Sequence, residues 1–139
     1  MRFKFSVIVF FVVGVALNLV GCGSLVSSTV AVDNSVDAAS RVVADRAQQR
    51  WNALLKQDME AAYQFISPGG RSVMTAQQYG PRINTVFWRG AKVDKASCAA
   101  ETCEVTVLVD MVVERVKFTN PITETWILDA GKWWFVYKG

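Results

Sequence analysis

The sequence predicts an α+β fold, with helices first and an antiparallel sheet afterwards, and three observations carry that prediction. Apolar residues recur at helical spacing between about residues 36 and 66. They alternate with polar ones after about residue 104, and the chain closes on two apolar runs joined by a Gly-containing turn. The 139 residues suffice for one domain with a real core and not for two ordinary ones.

The first element is not part of that domain. Arg2 and Lys4 precede an uncharged apolar stretch from Phe5 to Val20, the n-region and h-region of an export signal. About 16 apolar residues fall short of the roughly 20 that span a bilayer. From Gly23 to Ser35 the chain is small and polar without a period. It reads as a flexible tether with an r.m.s. reach on the order of 20 Å, the alternative being an extra edge strand at Val30-Ala31-Val32.

Asn34 or Ser35 can cap a helix starting near Val36. Val43, Ala47, Trp51, Leu54 and Leu55 form one apolar stripe on it, which leaves Arg41, Arg46, Arg50 and Lys56 to point largely elsewhere. Asp58 caps a second helix, Met59 to Ile66, which Ser67-Pro68-Gly69-Gly70 stops. Thr75 and Gln78 form a capping box for a third short helix limited by Gly80-Pro81. Thr85 to Cys98 is a strand pair or one long bent strand, interrupted at Gly90. Val105, Val107, Val109, Met111 and Val113 share one face of the next strand. The last pair is Ile122–Leu128 and Trp133–Tyr137, turned by Asp129-Ala130-Gly131-Lys132.

Leu19-Val20-Gly21-Cys22 resembles the lipobox of bacterial lipoproteins. That resemblance implies cleavage before Cys22, acylation of Cys22 on sulfur and on its new amino group, and attachment to a membrane. Two or more chains make such an anchor durable. Gly23 stands where Asp would retain a lipoprotein in the inner membrane, so the resemblance favours an outer-membrane lipoprotein facing the periplasm. The domains expected are a signal at 1–21, the lipidated Cys22 and tether at 22–35, and the folded unit at 36–139. An exported chain meets an oxidising compartment, so Cys98 and Cys103, flanking a hairpin tip, should form a disulfide. Closing so small a loop is worth only about 2 kcal/mol, which suits a device that pins strand register. A redox or metal-binding pair is the rival reading, but the spacing is not Cys-x-x-Cys and no third ligand is in sight.

Trp51-x-x-Leu54-x-x-x-Asp58-x-x-x-Ala62-Tyr63, then Ser67-Pro68 and Arg71, and finally Trp126-x-Leu128 with Gly131-Lys132-Trp133-x-Phe135, resemble the NTF2-like superfamily over roughly residues 38 to 139. The resemblance implies a cone in which a long first helix and short helices pack into a curved antiparallel sheet. It implies no one function, because this fold hosts isomerases, dehydratases, transport factors, secretion scaffolds and envelope lipoproteins.

The sequence has no His, which removes Ser-His-Asp and Cys-His sites, imidazole switches and His-containing zinc sites. What remains is carboxylate chemistry with Tyr donors, as in the isomerases the fold includes. Asp58, Asp110, Tyr63 and Tyr79 are its candidates, and each has a plainer role as a cap, a solvated strand residue or a core aromatic. No catalytic residue, cofactor or metal ligand is therefore assigned, and the expectation is a non-enzymatic binding or assembly module acting through the outer sheet face. The alternative is small-molecule binding or carboxylate-based lyase or isomerase activity in the cone cavity. Trp51, Tyr63, Tyr79, Trp126 and Trp133 are candidate lining of a cone pocket, against an ordinary core as the alternative. Leu108, Val112, Ile127, Trp134 and Val136 fall on the opposite sheet face. So much apolar surface there points to a protein interface, most simply a homodimer or an envelope partner. Basic residues Arg82, Arg89, Lys92 and Lys95 surround Trp88, but an envelope location argues against nucleic acid and for a solvated strand edge or anionic headgroups. The net charge of +3 falls to about +1 once Arg2 and Lys4 leave with the signal.

Overall fold

A computed structural model describes residues 27–139, with side chains from Ser35 onward. Cys22 and the signal at 1–21 lie outside the described residues, and no described helix is long and apolar enough to cross a membrane. Four helices precede a four-stranded sheet: α1 Ser27–Leu55, α2 Met59–Tyr63, α3 Pro68–Val73, α4 Ala76–Tyr79, β1 Trp88–Ala99, β2 Thr102–Val113, β3 Val116–Asp129 and β4 Lys132–Phe135. The strands run antiparallel in the order β1-β2-β3-β4. The α+β arrangement, helices packed on an antiparallel sheet, is the one the sequence predicts.

α1 starts at Ser27, nine residues before the expected start near Val36, so the C-terminal part of the stretch read as a tether is helical. No Gly or Pro lies between Ser24 and Ser67, and adding residues to an existing helix is cheap compared with starting one. At about 43 Å, α1 lays Val43, Ala47, Trp51 and Leu54 against the sheet, all buried. It ends through Gln57 at φ 60°, with Asp58 N–H bonded back to Ala53 O, a left-handed stop that leaves Asp58 to cap α2 by accepting from Ala61 N–H. α2 closes at Tyr63 instead of Ile66, because Ser67-Pro68 both ends it and opens α3. Ser67 caps Gly70 N–H and Pro68 supplies the first turn, where its missing donor costs nothing. The Thr75/Gln78 capping box opens α4 as the sequence indicates.

β1 is a single strand bent by register shifts at Trp88/Gly90 and Val93/Lys95. β2 alternates as expected, with Cys103, Val105, Val107 and Val109 buried. β3 begins at Val116, six residues before the expected Ile122. The Glu114-Arg115 turn takes positive φ at both residues without a Gly to announce it. Pro121 does not interrupt the β2–β3 ladder. Thr125 O accepts from Val136 N–H, so the odd residues of β3 turn their backbone groups away from β2, and the N–H that Pro121 lacks is on that outer side. The last hairpin pairs Trp126 with Phe135 and Leu128 with Trp133, as its turn demands. At the other tip Cys98 and Cys103 are register partners and disulfide-bonded. β4 is not left bare: Ser67 N–H donates to Phe135 O and Phe135 N–H to Phe65 O, covering its free edge.

Candidate functional site

On the inner face of the sheet β3 presents Ile122, Glu124, Trp126 and Leu128, with a carboxylate among apolar neighbours. Opposite it α1 presents Arg50 beside Trp51. The helical pattern sends Arg50 to solvent with Arg41, Arg46 and Lys56. Arg41 and Lys56 are exposed, but Arg46 is half-buried and Arg50 is only 4% exposed. The reason is complementary: Glu124, itself 4% exposed, needs a cation.

Arg50 Nη1 donates to Glu124 Oε1 at 2.5 Å and Arg50 Nη2 to Tyr79 Oη at 3.0 Å. Trp51 Nε1 donates to Glu124 Oε1 at 2.7 Å and Trp126 Nε1 to Glu124 Oε2 at 3.0 Å. The guanidinium also stacks on Phe135, 3.7 Å from the ring centre. One ion pair thus ties α1, α4 and β3 together, and among the described residues it is the only one. Arg50 Nε is buried without a partner. Burial pushes the Glu124 carboxyl above its ordinary range, and Arg50 and the two indoles pull it only part of the way back. Burial likewise raises Tyr79, against the pull of Arg50.

Beside this pair the sheet leaves a gap. The β3–β4 ladder ends at Trp126–Phe135, with one further bond from Val136 N–H to Thr125 O, and beyond it a cleft of about 220 Å³ lies between β3 and the carboxy-terminal segment. Arg50, Trp51 and Glu124 line its inner side, Trp88 and Ile122 one wall, and Val136 and Tyr137 the other. Trp51 and Trp88 stack obliquely, 4.9 Å apart. By the alternation fixed at Thr125, the backbone N–H and C=O of Thr123 face the cleft. The site is a mostly apolar slot with a few fixed polar groups, the usual makeup of a small-molecule pocket.

Of the pocket residues expected from sequence, Trp51, Tyr79 and Trp126 meet at the ion pair, and Trp51 lines the cleft. Tyr63 fills core, its hydroxyl donating to Met74 O at 2.6 Å, and Trp133 is buried with its carbonyl accepting from Arg46 Nε. Asp58 is a cap, and Asp110 is exposed, accepting from Thr119. The outer-face set does not gather into one patch. Ile127 lies opposite Thr102 and Trp134, whereas Leu108 lies opposite Pro121 and Val112 opposite Lys117. The ten steps from Thr102 to Val112 span roughly 33 Å, and Val136 is among the residues lining the cleft. Sequence reasoning missed Arg50 and Glu124. The signal was present: Arg50 falls inside the stripe of Ala47, Trp51 and Leu54, and Glu124 inside the alternation of Ile122 and Trp126.

No protein-family model matches the chain, and no curated protein matches it. Among solved structures it is similar to a SEC-C motif containing protein from Rhodopseudomonas palustris, at 12% identity and a TM-score of 0.51, over 63% of this chain and 70% of that one. It also overlaps a putative NTF2-like transpeptidase from Campylobacter jejuni, at 11% identity and a TM-score of 0.47, over 68% and 96%. At such identities likeness speaks to fold alone.

Proposed function

We propose that this chain is an exported envelope lipoprotein, anchored through Cys22, whose NTF2-like domain is a non-enzymatic binding module for a small molecule. The observation that carries the binding reading is the cleft floored by Arg50, Trp51 and Glu124 and walled by Trp88 and Tyr137. Its volume is above the 150 Å³ or so that holds benzene in an apolar cavity. The ligand it suits is a compact, mainly apolar molecule with one hydrogen-bonding group for the Thr123 backbone or the ion pair. Binding is the reading we favour because both Glu124 oxygens already accept from donors within the protein, Arg50, Trp51 and Trp126. The disulfide between Cys98 and Cys103 supports an oxidising compartment, and Leu19-Val20-Gly21-Cys22 supports the anchor.

Two measurements test this reading. Titration with phenol or cyclohexanone, followed by NMR, should shift the indole N–H signals of Trp51 and Trp88 and leave that of Trp134 in place. Shifts spread evenly over all five indoles, or none, would remove the site. For the anchor, the amino-terminal peptide of protein made in a bacterial envelope should carry the mass of a diacylglyceryl group, and Cys22→Ala should abolish it.

A further inference from the structure

Trp134 projects from β4 at the flank of the domain, and three cations from three elements surround its ring. Arg46 of α1 lies 5.8 Å from the ring centre, Arg71 of α3 4.8 Å and Lys132 at the start of β4 4.5 Å. None of the three has a carboxylate within ion-pair distance among the described residues, where Arg50–Glu124 is the only pair. One turn before Arg46 on the same helix face is Val42, 49% exposed. An amphipathic indole and an exposed apolar side chain set among unpaired cations match the boundary layer of an anionic bilayer, apolar beneath and negative at its surface.

The geometry points to this flank, Val42, Arg46, Arg71, Lys132 and Trp134, as a docking surface for the headgroups of anionic phospholipids. The place where the described chain begins agrees with it. From Ser27 to Arg46 the helix rises about 28 Å, and four residues separate Cys22 from Ser27. With α1 lying along the bilayer, an anchor at Cys22 and this flank reach the same surface. The orientation rests on the proposed anchor, but the headgroup contact does not.

The test uses the protein as it is made in a bacterial envelope, reconstituted with vesicles of two compositions. Acetylation of single lysines is read by mass spectrometry on phosphatidylglycerol–phosphatidylethanolamine vesicles and on phosphatidylcholine vesicles. Lys132 should react about fivefold more slowly on the anionic vesicles, the equivalent of one favourable cation–headgroup contact, while exposed Lys95 and Lys117 react equally on both. Arg71→Gln and Trp134→Ser should each remove the protection with an unchanged circular dichroism spectrum. Equal Lys132 rates on the two vesicles would overturn the docking surface, as would equal slowing of Lys95 and Lys117 or protection that survives Trp134→Ser. Inorganic phosphate reproducing the protection on phosphatidylcholine vesicles would make it a free-anion site and overturn it too. Protection without acyl mass on Cys22 removes the anchor and leaves the docking surface, and the reverse result does the opposite.

Discussion

Replacing Arg50 by Met keeps much of the packing volume and removes the only cation facing Glu124 among the described residues. The carboxylate is then left 4% exposed with two indole donors and no counter-charge. Breaking one side of a buried pair costs about 3–5 kcal/mol, and for a domain of this size that lowers Tm by roughly 12–20 °C. The cost also depends on pH. With its folded pKa raised above the ordinary 4.5, Glu124 contributes stability that is fully present below pH 4.5 and is lost as pH climbs through the folded value. Without Arg50 the folded value rises further. Urea unfolding followed by tryptophan fluorescence should therefore show the deficit of Arg50→Met growing between pH 5 and 8. Adding Glu124→Gln should recover part of it at pH 8, since the amide oxygen still accepts from one indole and carries no charge. A deficit under about 1 kcal/mol, or one flat across that pH range, would refute the reasoning.

Other consequences are smaller. A Cβ at Gly90 would lie 3.1 Å from Asp110 Oδ2, so Gly90→Ala should cost about 1 kcal/mol by displacing Asp110 from Thr119; in urea unfolding, Gly90→Ala placed on an Asp110→Ala background should cost less. Reducing the Cys98–Cys103 bond should lower stability by about 2 kcal/mol, seen as an earlier urea midpoint in dithiothreitol with the β-sheet circular dichroism retained. Asp58→Ala, which removes the cap on Ala61 N–H, should cost about 1 kcal/mol in the same unfolding assay.

What could be read from sequence was whatever depends on local periodicity. The α1 stripe, the β2 alternation, the Asp58 and Thr75 caps and the Trp126–Phe135 register all follow from residue spacing. What escaped depends on partners far along the chain. A charged residue on a helix goes to solvent by default, and only the arrival of Glu124 at inward parity, 74 positions later, buries Arg50. The cleft was hidden for a related reason: it exists because β4 is four residues long and β3 fourteen. The early start of β3 escaped because Glu114 and Arg115 adopt positive φ that their side chains do not favour.

A crystal structure of the domain soaked in cyclohexanone tests the central claim most directly. The account predicts one molecule held between Trp51, Trp88 and Tyr137, its carbonyl within hydrogen-bond distance of Thr123 N–H or of Arg50. A cleft empty of cyclohexanone, with the molecule bound only on the outer face of the sheet, would contradict it.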